Sequence, residues 1–77
     1  MEDQTIYQFP RNENEAICFR IHEYKNRKYV DLRIFFKSKQ GDEMFPTKKG
    51  ITVGLEHLAE LKKGLSMCEQ KAVALVQ

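Results

Sequence analysis

The residues of this 77-residue chain that could carry out covalent chemistry are two histidines, two cysteines and one Lys-Lys-Gly turn. His22 and His57, helped by a lysine, are the types that acid–base cleavage of a phosphodiester would use. They fall on different predicted elements, and no carboxylate stands at a spacing that would orient either one. We read both as surface histidines. Cys18 and Cys68 are fifty positions apart, with no Cys-x-x-Cys and no Cys/His cluster of zinc spacing. They are expected to be free thiols in a reducing compartment, a single bridge being the alternative. Lys48-Lys49-Gly50 lacks both the preceding glycine and the following Ser/Thr-led helix of a phosphate loop. No catalytic residue, metal or cofactor is therefore expected, and the chain reads as non-enzymatic.

What remains is a constellation of bases interleaved with aromatic rings: Tyr24, Lys25, Arg27, Arg33, Phe36, Lys37, Lys48 and Lys49. Net charge is only +2, but it is unevenly spread. Between Arg20 and Lys49 nine bases face four acids, whereas the first nineteen residues are acidic and the tail is balanced. A concentrated positive field favours polyanions. Single-stranded nucleic acid needs this combination, because cations follow its phosphates while exposed rings stack on unpaired bases. The competing reading makes Tyr24 and Phe36 core residues and the lysines a solvated surface. A helix reading the major groove would need a basic face, and here the helical segment is charge-balanced.

The elements that must position these residues follow from periodicity. Residues 1–15 are polar and read as an N-terminal arm, with a short strand around Thr5 to Phe9 that covers a sheet edge. From Ala16 to Tyr24 the pattern alternates, Ile17, Phe19 and Ile21 on one face and Arg20, His22 and Tyr24 on the other. The polar turn Lys25-Asn26-Arg27-Lys28 leads into Tyr29–Lys37, rich in β-branched and aromatic residues, so the two segments form a hairpin. In the second strand Val30, Leu32, Ile34 and Phe36 share a face. Glu43-Met44-Phe45, halted by Pro46, is expected to be a third strand. A basic turn, Thr47 to Gly50, then leads into Ile51-Thr52-Val53 as a fourth. With no connection long enough for a crossover, the sheet should be an antiparallel meander.

From Leu55 the period changes. Leu58, Leu61, Leu65, Cys68, Ala72 and Leu75 recur at alternating spacings of three and four, the stripe of an amphipathic helix. Gly54 stands where an N-cap belongs, and Gly64 weakens the helix by ~1 kcal/mol relative to alanine. The fold class is thus α+β: four antiparallel strands, then one C-terminal helix, with residues 16–77 as the ββββα domain. So short a chain buries only ~60% of the surface it exposes when unfolded. With metal and disulfide staples both weak, oligomerisation is the remaining route to stability. Leu58, Leu61, Leu65 and Cys68 are the candidate dimer interface. The start of the chain does not resemble a signal peptide, and no apolar run approaches the ~18 residues of a membrane span, so an intracellular protein is expected.

The string from Tyr24 to Lys62 resembles the single-stranded-DNA-binding domain of the transcriptional coactivator family called positive cofactor 4. Val30-Asp31-Leu32-Arg33-Ile34-Phe35-Phe36 stands where that family has a strand with an Asp, an Arg two residues on, and adjacent aromatics. Gly41-Asp42-Glu43 and Pro46-Thr47-Lys48-Lys49-Gly50-Ile51-Thr52-Val53 follow in the family's order. The resemblance implies a curved four-stranded sheet with a C-terminal helix. It also implies a dimer whose paired sheets hold two antiparallel single strands. Carried over by position, Tyr24 and Phe36 would stack bases, while Lys25, Arg27, Arg33, Lys48 and Lys49 would contact phosphates. His22 stands where a family arginine sits. Phe36 replaces the Trp of the best-known members, and the turn Asp42 to Phe45 is one residue longer.

The resulting expectation is a homodimer that binds single-stranded DNA with tolerance of sequence, in transcription regulation, replication or repair. The transcription machinery is a further expected partner, and a membrane is not. The alternatives are an RNA-binding regulator on the same sheet and a dimeric adaptor that uses the helix stripe. Strict alternation sets one conflict. It places Phe36 with Val30 and Leu32, opposite Arg33, although both are expected ligands. A β-bulge near Ile34 would reconcile them.

Overall fold

The computed structural model describes residues 4–76. Four strands, β1 (Gln4–Pro10), β2 (Glu15–Tyr24), β3 (Arg27–Lys37) and β4 (Met44–Gly54), form one antiparallel sheet in the order β1-β2-β3-β4. A single 3-10 turn (Leu55–His57) leads into the helix α1 (Leu58–Leu75). The expected fold class is therefore observed, with its strands drawn from different residues. The first strand comes from the segment read as an arm, whose residues 1–3 lie outside the described residues. The expected third and fourth strands are one continuous strand through Pro46. Proline is compatible with that position because β4 is an edge strand, where a missing N–H breaks no ladder bond on the open side.

The hairpin turn is also tighter than the four polar residues expected. Tyr24 pairs directly with Arg27, leaving only Lys25 and Asn26 in the loop, at φ 51° and 64°. Two consecutive positive φ values define a type I′ turn, whose twist matches that of the flanking strands. Asn tolerates this conformation well, and lysine less so.

Residues directly across a ladder share a face, so the register sorts the side chains. One face carries Tyr7, Phe9, Ile17, Phe19, Ile21, Val30, Leu32, Ile34, Phe36, Phe45, Ile51 and Val53. The other carries Gln8, Cys18, Arg20, His22, Tyr29, Asp31, Arg33, Phe35 and Thr52. On the apolar face Tyr7, Phe9 and Phe19 cluster with ring centroids 5.9 to 6.3 Å apart. Burial nonetheless inverts the usual order. The most buried residues are Cys18 and Asp31 on the polar face, with only Val30 joining them from the apolar face. Ile51, Phe45, Phe36 and Tyr7 remain exposed.

The helix does not close this gap. It runs unbroken past Gly64, with no side-chain hydrogen bond at its N-cap and a backbone bond from Val76 N–H to the Ala72 carbonyl at its C-cap, and buries none of its residues. Within the leucine stripe Leu61 alone is half-buried, while Leu58, Leu65 and Cys68 are exposed. The chain is accordingly a slab, 41 × 35 × 18 Å, with its largest apolar surface open.

Candidate nucleic-acid interface

The polar face is organised around one buried carboxylate. Asp31 lies mid-strand in β3, with Arg20 of β2 opposite it on one side and Thr52 of β4 on the other. Its Oδ1 accepts hydrogen bonds from Arg33 Nη2 and Thr52 Oγ1, both at 2.6 Å. Its Oδ2 accepts from Arg20 Nε at 3.2 Å and Arg33 Nε at 3.3 Å. Burial alone would raise the Asp31 pKa. The hydrogen bonds from Arg33 and Thr52, with the charges of Arg33 and Arg20, outweigh it and hold the carboxyl below its ordinary value. The Arg33 guanidinium is reciprocally held more basic by its hydrogen bond to Asp31. Arg20 also lies over the Phe35 ring, 5.2 Å from its centroid.

Two basic features flank this hub. At the hairpin end Tyr24 is 57% exposed, with Lys25 Nζ 5.3 Å from its ring centroid, and Arg27 is exposed beside them. At the other end β4 bulges. Pro46 pairs with Phe35 and Gly50 with Arg33, so Thr47, Lys48 and Lys49 together oppose the single residue Ile34. The Thr47 hydroxyl donates to the Ile34 carbonyl at 2.6 Å and accepts the Lys49 N–H at 3.1 Å. Arg33 Nη1 donates to the Thr47 carbonyl at 3.4 Å. Ile34 lies seven positions beyond Arg27 along β3, about 23 Å at the rise of an extended strand. His22, Tyr29, Arg20 and Arg33 occupy the face between them, the His22 and Tyr29 rings 6.3 Å apart.

The expected bulge near Ile34 exists, but its extra residues belong to β4. β3 itself is regular, because its register with β2 runs unshifted from Arg27 to Phe36. Arg33 and Phe36 therefore sit on opposite faces. Phe36 lies on the apolar face against Phe45, with centroids 5.6 Å apart, and is partly exposed at the sheet's end. Lys37, also exposed, pairs with Asp42 at 3.4 Å. Tyr24 and Arg27 lie at one end of the polar face with Lys25 in the turn beside them, and Lys48 and Lys49 lie in the bulge of the edge strand β4. Asp31, Thr47 and Thr52 were not singled out as site residues. Alternation put Asp31 beside Arg33, but the hub depends on the register with Arg20 and Thr52, which spacing does not specify. Among the described residues no group of three metal-ligating side chains occurs, and no helix is long and apolar enough to cross a membrane.

The family model described as Transcriptional Coactivator p15 (PC4) matches residues 12–64, which includes β2, β3, β4, the bulge and the first turns of α1. The chain belongs to the PC4 family. Among solved structures it is similar to BPSL1147, a PC4 homolog from Burkholderia pseudomallei, at 26% identity and a TM-score of 0.82 in two crystal forms. The match covers 88% of this chain and 90% of the orthorhombic form's chain. It is also similar to the bacteriophage T5 homolog of the coactivator PC4, implicated in recombination-dependent DNA replication. That match has 25% identity and a TM-score of 0.73, covering 97% of this chain and 85% of that one. No curated protein sequence matches the chain. PC4 membership agrees with the four-stranded sheet and C-terminal helix described above, and it supports DNA binding as the broad function.

Proposed function

We propose that this PC4-family chain is a non-catalytic module that binds single-stranded DNA along the polar face of its sheet, as a homodimer. The observation that carries the reading is the pair of basic features about 23 Å apart along β3, joined by a polar face bearing Arg20 and Arg33. A track of that length suits a polymer of phosphates rather than one small anion. In this reading Lys25, Arg27, Lys48 and Lys49 meet phosphates, and the exposed Tyr24 ring stacks on an unpaired base. The T5 homolog's link to DNA replication is consistent with this assignment. The open apolar face and the unburied Leu58, Leu65 and Cys68 support a second copy of the chain as the covering partner.

Labelled oligothymidylate, a matched duplex and a matched RNA, titrated at 50 and 200 mM salt with molecular mass measured alongside, test the reading. The single strand should bind most tightly and to a dimer. Replacing Lys48 and Lys49 together by alanine should weaken binding to all sequences alike. It should make the slope of log K against log salt shallower by about 1.4, since each phosphate contact on a single strand contributes about 0.7. Tyr24→Ala should cost about 1–3 kcal/mol of affinity with the slope unchanged. Equal affinity for duplex and single strand, or no salt dependence, would overturn the reading, and preference for RNA would redirect it.

A further inference from the structure

We propose that Arg33 is a positioning residue that braces the Thr47–Lys49 bulge, and that it does not itself contact phosphate. The inference rests on the nucleic-acid reading above and gives a different role to its most central arginine. A guanidinium has five N–H donors in a rigid fork. Arg33 directs four hydrogen bonds at protein acceptors: Nε and Nη2 to the two oxygens of Asp31, Nη2 also to Thr52 Oγ1, and Nη1 to the Thr47 carbonyl. The fork is thus fixed on a carboxylate that is only 3% exposed and on a second strand at once. To spend more than its one remaining Nη1 N–H on a phosphate, Arg33 would have to leave a buried anion with fewer partners, a costly exchange.

The bulge needs such a brace. It lies on an edge strand, and its three residues oppose one, so the regular ladder is interrupted there. Two ties replace the ladder. The Thr47 hydroxyl bonds the Ile34 carbonyl, and the Thr47 carbonyl accepts from Arg33. The next two residues are Lys48 and Lys49. Asp31 thereby acts at a distance: it holds Arg33, Arg33 holds Thr47, and Thr47 sets where the two lysine side chains leave the sheet.

A double-mutant cycle with oligothymidylate tests this, combining Arg33→Lys with the Lys48/Lys49 double alanine replacement. Arg33→Lys keeps a cation beside Asp31, so the fold has a partner for its buried charge, but lysine lacks the fork that reaches Thr47. The expected result is a roughly tenfold loss of affinity in the wild-type background and less than twofold when both lysines are already gone. Amide exchange at Lys49, read without any ligand, should accelerate at least tenfold in Arg33→Lys. A direct phosphate ligand would behave otherwise. Arg33→Lys would then keep near-wild-type affinity, or lose the same factor in both backgrounds, with Lys49 protection unchanged, and any of these results overturns the proposal. If the double alanine replacement leaves affinity intact, the nucleic-acid reading of the bulge fails, while the exchange measurement still decides whether Arg33 braces it.

Discussion

Asp31→Ala is expected to remove about 3–5 kcal/mol of folding stability, because it leaves Arg20 and Arg33 facing each other without the carboxylate that joins them. For a chain of this size the total is only about 4–12 kcal/mol, so the variant should be largely unfolded in mild urea. The midpoint of urea unfolding, with the slope checked for constancy, measures the loss. Acid should expose the same interaction. The folded pKa of Asp31 lies below its ordinary value of 3.8, so its stabilisation is fully present above that value. It is lost as the pH falls through the folded pKa. Wild type should therefore lose stability steeply below about pH 4, and Asp31→Ala should show a shallower dependence in that window. A parallel pair of curves would mean that the carboxylate is not the acid-sensitive group.

Gly50→Ala should be the most damaging single methyl group in the chain. Gly50 sits at φ 152° where β4 rejoins the ladder opposite Arg33. A Cβ there would stand 2.9 Å from Arg33 Cα and inside the contact distance of the Leu32 carbonyl oxygen. Both are backbone atoms of the central strand, which cannot step aside as a side-chain tip can. Backbone strain alone is worth about 1–3 kcal/mol, and the overlap adds to it. Gly41→Ala is the matched control, because a Cβ there meets nothing within 4 Å. Its effect should stay within about 0.5 kcal/mol. Thermal unfolding of the two variants side by side separates a positional requirement from a general cost of replacing glycine.

Much of this architecture was legible in the sequence where a physical periodicity enforced it. Alternation in β2 and β3 fixed which side chains share a face, and the observed register matches those faces from the Ala16–Phe35 pair to the His22–Tyr29 pair. The change to three-and-four spacing marked the helix. The short edge strand expected around Thr5 to Phe9 is observed and extends over Gln4–Pro10 against β2. The misread elements were those whose pattern is set by partners. Pro46 reads as a stop in isolation, yet it is harmless on an edge strand. The bulge was anticipated as a means of putting Arg33 and Phe36 on one face. It arose in β4 instead, because Thr47 and Gly50 supply the hydroxyl and the missing Cβ that β3 lacks. The helix stripe was legible as a stripe but not as an uncovered one. Amphipathicity specifies that a face will be buried, without specifying against what.

The two thiols of this chain occupy opposite environments. Cys18 is buried and donates to Gln8 Oε1 at 3.3 Å across the seam of β1 and β2. Burial pushes its pKa up, against a smaller opposing pull from the charge of Arg20. Cys68 is exposed on α1. Because alkylation proceeds through the thiolate, the pair forms a built-in chemical clock with two hands. Iodoacetamide should label Cys68 promptly in the isolated subunit and Cys18 only at the pace at which the edge strand lifts away. Mass spectrometry of a labelling time course would then report the opening of the sheet from one cysteine and the covering of the helix from the other, in a single unmodified sample.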